Sequence, residues 1–272
     1  MNKMKIRSVV ASLLVCTLVI LQLSSTMFPV NVMADEVTNE VTDSVDTTQE
    51  SAEEDDKVIT NDENCIPDAN LYAVLLNAGD SNHDGILTVG EAKKITSLSC
   101  ELAKIETFKN LAKYALNIQS LSDSTNIYTA SASDWNEEKV SSFCEEYSKL
   151  ENVKSTKIVS NDVTLLNCIC SKQSLTNLYI YSPSNNNSQK LNIEGLKKLS
   201  PNLTSFTMYG INAVKSLKDD TNLLDCTNLS YITLSCPTLS DVDGISALTN
   251  LSWLVLDYCY QLKELGDCCD IT

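Results

Sequence analysis

From Leu175 onward the apolar positions fall in a repeating order. Leu175-xx-Leu178-x-Ile180, Leu203-xx-Phe206-x-Met208, Leu229-xx-Ile232-x-Leu234 and Leu251-xx-Leu254-x-Leu256 each put apolar residues at alternate positions of a short segment. Their starts are 28, 26 and 22 residues apart, and Asn202, Asn228 and Asn250 stand before the first Leu of the last three. A period of two predicts a strand. One short stripe cannot support itself, so the strands must stack side by side. Between them the apolar residues step by three, as in Leu239, Val242, Ile245, Leu248 and Leu251, and nearly so in Leu191, Ile193, Leu196, Leu199 and Leu203. A three-residue step predicts a tight 3₁₀-like return path.

Strand plus short return, at roughly 20–29 residues, is the geometry of a leucine-rich repeat. The expected fold class is therefore α/β: a solenoid with a curved parallel sheet and short 3₁₀ or loop returns. The stretch from Val242 to Leu256 resembles the short repeat of internalin-type surface proteins of Gram-positive bacteria. The resemblance is strong over roughly residues 190–266 and fair from 171, so 171–272 is assigned to the repeats. Many such repeats place Asn or Cys just past the strand. Cys236 and Cys259 hold that position, and buried free thiols are favoured there over a Cys236–Cys259 disulfide.

Before residue 171 the pattern frays. Ile105-xx-Phe108-xx-Leu111 has the return-path spacing, but no clean strand core follows it. Residues 131–153 read as an inserted helix, with Val140, Phe143, Cys144, Tyr147 and Leu150 on one face. Residues 101–170 are accordingly assigned to divergent first repeats.

Residues 65–100 carry the most specific chemical signal. Asp80-Ser-Asn-His-Asp-Gly-Ile-Leu-Thr-Val-Gly-Glu91 matches a calcium loop of EF-hand type position by position. Calcium takes six to eight oxygens. Asp80, Asn82 and Asp84 fill positions 1, 3 and 5, and Gly85 makes the sharp turn. Ile86 offers a carbonyl, Thr88 acts through water, and Glu91 supplies a two-oxygen carboxylate. An entering helix over 67–77 and an exiting helix over 92–98 are expected. The entering helix separates the unit from dockerin modules, which share the loop but come in duplicate. No second loop is found, so Leu87 must pack on something other than a partner loop, most simply the first repeat. The expectation is a structural cap. His83, the only histidine, points outward and is no ligand.

Composition changes the picture at the N-terminus. Lys3, Lys5 and Arg7 precede an apolar run over 8–23 and small residues near Ala34, the order of a secretory signal peptide, assigned to 1–34. Membrane association is expected only through an uncleaved signal. Residues 35–64 hold twelve acidic groups and one lysine, so most of the net charge of −16 lies there. Such a segment buries too little apolar surface to order itself and reads as a disordered linker. Arg7 is the only arginine and no basic patch exists, which disfavours nucleic-acid binding. Of eleven cysteines, Cys65 and Cys100 bracket the loop and make the better disulfide candidate.

No catalytic constellation emerges. The single histidine sits in the loop, Cys168-Ile-Cys170 and Cys268-Cys269 lack metal spacing, and glycine-rich phosphate loops are absent. The expected function is an exported recognition or adhesion module for an extracellular protein or glycan, and not an enzyme. Strand positions such as Thr207 and Thr233 would be exposed, with Tyr179, Tyr231 and Trp253 as the binding surface. An envelope scaffold protein, or the binding portion of a larger enzyme, are the alternatives.

Overall fold

In a computed structural model of the chain, residues 7–8, 54–131, 134–183, 194–263 and 265 are described. The elements in order are β1 (Arg7–Ser8), β2 (Val58–Ile59), α1 (Ala69–Gly79), β3 (Leu87–Thr88), α2 (Val89–Ala92), β4 (Ser97–Cys100), α3 (Leu111–Tyr114), β5 (Ser120–Asp123), α4 (Glu137–Lys149), β6 (Ser155–Val159), α5 (Val163–Cys170), β7 (Asn177–Tyr181), β8 (Ser205–Tyr209), α6 (Leu217–Asp220), β9 (Tyr231–Ser235) and β10 (Trp253–Asp257). Strands β4 to β10 lie side by side in chain order, all parallel, and β1 borders β10. This is a leucine-rich-repeat solenoid. Among the described residues no helix is long and apolar enough to cross a membrane. Cys268, Cys269, Leu191 and Ile193 lie outside the described residues, as does nearly all of the expected signal peptide.

The repeat register follows from the alternation. Leu178, Phe206, Ile232 and Leu254 are in register on neighbouring strands and all are buried. Each such side chain contributes about 1.5–3 kcal/mol on burial. Polar ladders hold the coils together. Asn202 Nδ2 donates to the Gln173 carbonyl (3.3 Å), Asn228 to that of Pro201 (3.2 Å) and Asn250 to that of Thr227 (2.9 Å). The asparagines before each first Leu thus reach back one coil. Thr176, Thr204 and Ser230 form a second ladder, donating at 3.1 Å to the Lys154, Thr176 and Thr204 carbonyls. They lie just outside the strands.

The array begins earlier than the pattern indicates. Residues 97 and 98, at the end of the exiting helix expected over 92–98, instead begin β4, because Leu98 and Cys100 alternate with Ser97 and Ser99 on a two-residue period. The exiting helix is the single turn α2. β5 and β6 are two further coils, although a strand core was not expected after Leu111. Leu121 is the one buried aliphatic residue of β5, and Thr156 takes the first inward position of β6. The helix read over 131–153 is α4, capped by Asn136, with Val140, Phe143, Tyr147 and Leu150 buried. It is the return between β5 and β6 and not an insertion. Its bulk is filled by rings: Phe143 meets Phe108 edge-on at 5.0 Å and stacks on Tyr147 at 5.3 Å. After β8 the returns carry 3₁₀ turns, at Leu223–Asp225 following the single turn α6 and at Ile245–Ala247, in keeping with the three-residue step.

The cap is fused to this array and starts before Cys65. Described residues 54–64, expected to belong to a disordered linker, are folded into it. Ile59 is fully buried, and β2 pairs antiparallel with β3, Ile59 opposite Leu87. Leu87 therefore takes its strand partner from the segment preceding the loop, not from the first repeat. Lys57 accepts the Val89 amide at 2.9 Å, and Lys93 pairs with Asp55 at 2.7 Å. Gly90 permits this approach, since a Cβ there would stand 3.0 Å from that of Asp55. Acidic neighbours hide Val58 and Ile59 when composition is averaged over thirty residues.

The Asp68 side chain caps α1 through the Leu71 amide (2.8 Å) and accepts the Glu106 amide (2.7 Å), tying cap to repeats. Cys65 and Cys100 are both free, which removes the expected bridge. Cys100 is buried beside Asp123, whereas Cys65 lies by Thr60 and Tyr114. Cys236 and Cys259 are also free.

Candidate functional site

The outward positions of the strands form three rows across the sheet. In the first, Ser97, Ser120, Ser155, Asn177, Ser205, Tyr231 and Trp253 are in register from β4 to β10. The second runs through Lys157, Tyr179, Thr207, Thr233 and Val255. The third holds Val159, Tyr181, Tyr209, Ser235 and Asp257. The face is therefore small and hydroxyl-bearing toward the cap and aromatic toward the C-terminal coils.

Two of the expected residues come together. Tyr231 and Trp253 stack with ring centres 6.2 Å apart and planes 14° from parallel. Tyr179 lies on the other side of β8 and does not join that stack. A second chain of rings was missed by sequence reasoning: Tyr181 to Tyr209 (6.1 Å), Tyr209 to Tyr258 (6.3 Å) and Tyr258 to Tyr260 (6.0 Å). The signal was available, because Tyr181 and Tyr209 share the parity of Tyr179 and Thr207 one step further along each strand. Tyr258 turns by a positive φ of 49°. Lys157 Nζ lies 5.5 Å from the Tyr181 ring centre. Burial pushes the Tyr181 and Tyr209 phenols above their ordinary value, so both stay protonated and neutral near pH 7.

Between these aromatic groups lies a trough of about 470 Å³ over β8. Ser205 and Thr207 form its floor, because the strand between two tyrosine-bearing strands carries short side chains. Thr207, expected to be exposed, is buried there. Thr233 Oγ1 is also buried and has no hydrogen-bond partner.

The Asp80–Glu91 loop is ordered by its own amides. Asp80 accepts from Asp84 (3.2 Å) and Gly85 (3.0 Å), Asn82 Oδ1 from Asp84 (3.0 Å), and Asp84 Oδ1 from Ile86 (2.8 Å). Gly85 takes a φ of 78°, the left-handed region that favours glycine. One carboxylate spans the loop: Glu91 Oε1 accepts the Ser81 amide and hydroxyl at 3.2 Å, and Oε2 accepts those of Thr88 at 3.0 Å. The Thr88 amide, then its hydroxyl, hold the Glu91 carboxyl below its ordinary value. Thr88 in return caps α2 by accepting the Glu91 amide. His83 is exposed with φ 61°. Among the described residues no three His, Cys, Asp or Glu side chains converge as a metal-ligand group.

No family model matches the sequence, and comparison with curated proteins finds no match. Solved structures of similar shape include an internalin, InlF, of Listeria monocytogenes, with 14 % identity over 70 % of this chain and 62 % of that one, at a TM-score of 0.38. InlP of the same organism has 15 % identity over 71 % and 51 %, at 0.37. The functional domain of its InlJ, described as including a cysteine ladder, has 13 % identity over 74 % and 62 %, at 0.24. The chain spans 62 % and 51 % of the lengths of the first two. The leucine-rich-repeat assignment stands on the chain's own strand register and ladders.

Proposed function

We propose that this chain is an exported recognition module whose aromatic sheet face binds an extracellular protein or glycan, with calcium in the Asp80–Glu91 loop holding the cap in place. The observation that carries the reading is the paired stacking of Tyr231 on Trp253 beside the Tyr181–Tyr209–Tyr258 ring chain. Rigid, half-exposed tyrosine and tryptophan side chains supply large contact area at little entropic cost and dominate binding hot spots. On a solenoid the sheet face can vary without disturbing the buried register, so a concentration of rings there is a surface feature and not a packing need.

The loop fits calcium by its donor chemistry. Asp80, Asn82, Asp84 and Glu91 supply hard oxygens, with the Ile86 carbonyl and a water on Thr88 completing the set. The amides that hold the Asp80 and Asp84 carboxylates, and the Glu91 carboxylate already lying across the loop, support that reading. Binding would pull three carboxylates together and exchange the Ser81 and Thr88 bonds of Glu91 for metal–oxygen bonds. Because β2 pairs with β3 inside the loop, the cation would stabilise the unit next to β4, the last strand of the sheet among the described residues. Export rests on the leader read in the sequence.

The test is retention of labelled full-length chain on host-surface and cell-wall extracts. The Tyr231→Ala/Trp253→Ala double variant is expected to lose at least tenfold in retained material. Retention equal to wild type would remove the sheet face as the recognition surface.

A further inference from the structure

The trough over β8 has chemistry more specific than a general recognition face. Tyr179, Tyr181, Ser205, Thr207, Tyr231 and Thr233 line it, and none carries a formal charge. Its volume of about 470 Å³ falls within the roughly 300–1,000 Å³ of small-molecule sites. The flanking strands β7 and β9 are two strand spacings apart, roughly 9.5 Å between backbones. Rings need about 3.5–4 Å to each contacting carbon, so such a slot admits one six-membered ring between aromatic walls. Trp253 covers one face of Tyr231. The other face is turned toward β8 and the trough, since β9 lies between β8 and β10.

The floor supplies the polar half of the recognition. Thr233 Oγ1 is buried with no hydrogen-bond partner, a costly arrangement that valine of the same shape would avoid. Its hydroxyl both donates and accepts, as do those of Thr207 and Ser205. Beyond the trough, the register row continues as Asn177, Ser155, Ser120 and Ser97, all small and polar. The lining itself gives a charged peptide no countercharge, the Lys157 ammonium standing over the Tyr181 ring beside it, and an aliphatic anchor would leave the orphan hydroxyl unpaired. A pyranose offers C–H faces to stack on rings and hydroxyls to exchange bonds with threonine.

We propose that the trough is a subsite for a neutral oligosaccharide, one ring stacked on the open face of Tyr231 and bonded at its edge to Thr207, with the Thr233 side chain turning its buried hydroxyl to meet the sugar. The inference rests on the sheet face being the recognition surface and names its ligand class.

The experiment is calorimetric titration of the full-length chain with neutral hexasaccharides of β-1,4-linked glucose, β-1,4-linked N-acetylglucosamine and α-1,6-linked mannose. At least one is expected to bind saturably. Thr233→Val and Tyr231→Ala should each weaken it at least tenfold, and Ser205→Trp, which fills the trough, should abolish it. Thr233→Val should leave the melting temperature unchanged or raised, which separates a lost ligand bond from a lost fold. Absence of saturable binding across the panel overturns the proposal, as does binding that Ser205→Trp and Thr233→Val leave unchanged. If the saccharides fail but an extract protein is retained by wild type and lost in the Tyr231→Ala/Trp253→Ala variant, the glycan subsite falls and the recognition face stands. If nothing bound depends on these residues, both fall.

Discussion

The fully buried Asp123 carboxylate accepts the backbone amide of Val159 at 3.1 Å through Oδ2. Its Oδ1 accepts the Leu102 amide at 3.2 Å and the Thr125 amide at 2.9 Å. One side chain at the end of β5 thus joins the coil before it to the coil after it, where later coils use asparagine ladders. Asp123→Ala leaves three buried amides without their acceptor, at a cost on the order of 3–5 kcal/mol. Asp123→Asn keeps one acceptor oxygen and should cost less. Urea denaturation checks both, and a loss below about 1 kcal/mol for the alanine variant would show that other groups take over the amides.

Ile59 should prove part of the cap. It is fully buried opposite Leu87, so Ile59→Ala should cost about 2–4 kcal/mol. Deleting residues 1–60 should destabilise the cap further, because Leu87 loses its strand partner. A linker role predicts no change in the urea midpoint for either variant.

How much of this was legible depended on how many apolar residues marked each coil. β7 to β10 are legible because each repeat marks three apolar positions, one just before the strand and two facing inward within it, and in three of the repeats an asparagine stands before the first Leu. β5 and β6 are not, because Leu121 stands among serines and Thr156 replaces an aliphatic residue while hydrogen-bonding Tyr147 Oη at 2.8 Å. The return between them is the long helix α4, packed by rings, and the return after β6 is the helix α5, and both break the three-residue step. Val58-Ile59 is masked by neighbouring acids, although two residues suffice for one antiparallel pair. Of the aromatic sheet face, Tyr231 and Trp253 are placed by register alone. Tyr181 and Tyr209 needed strands one residue longer than the core pattern, and the trough needed the contrast between short β8 side chains and tall neighbours.

Calcium should stabilise the chain. With a Kd on the order of 10⁻⁴–10⁻³ M, typical of extracellular sites, about 10 mM calcium adds roughly 1.5–3 kcal/mol and several degrees of Tm. Glu91→Gln keeps an acceptor for Thr88 but loses the charge and the second metal oxygen, and should abolish the shift. A Tm that calcium leaves unmoved in the wild-type chain would end the metal-cap reading.

Alkaline pH should unfold the protein through its buried thiols. Burial pushes Cys100, Cys170 and Cys226 each up to about 12 from an ordinary 9.0. A raised folded value favours the protonated thiol, so their contribution is whole below pH 9 and is lost between pH 9 and about 12 as the unfolded chain ionises first. Stability measured in urea should fall across that window. Replacing the three with alanine should flatten the slope while lowering the plateau, and an unchanged slope would contradict the assignment.

Hydroxyl-radical footprinting of the full-length chain, with and without a retained extract component, tests most directly whether the aromatic sheet face meets the partner. Tyrosine and tryptophan report strongly, so Tyr179, Tyr231, Trp253 and Tyr258 should become protected on binding while Tyr72 on α1 stays unchanged. Protection confined to the return side, at residues 163–170, 217–225 and 245–247, with the sheet-face rings still labelled, would contradict it.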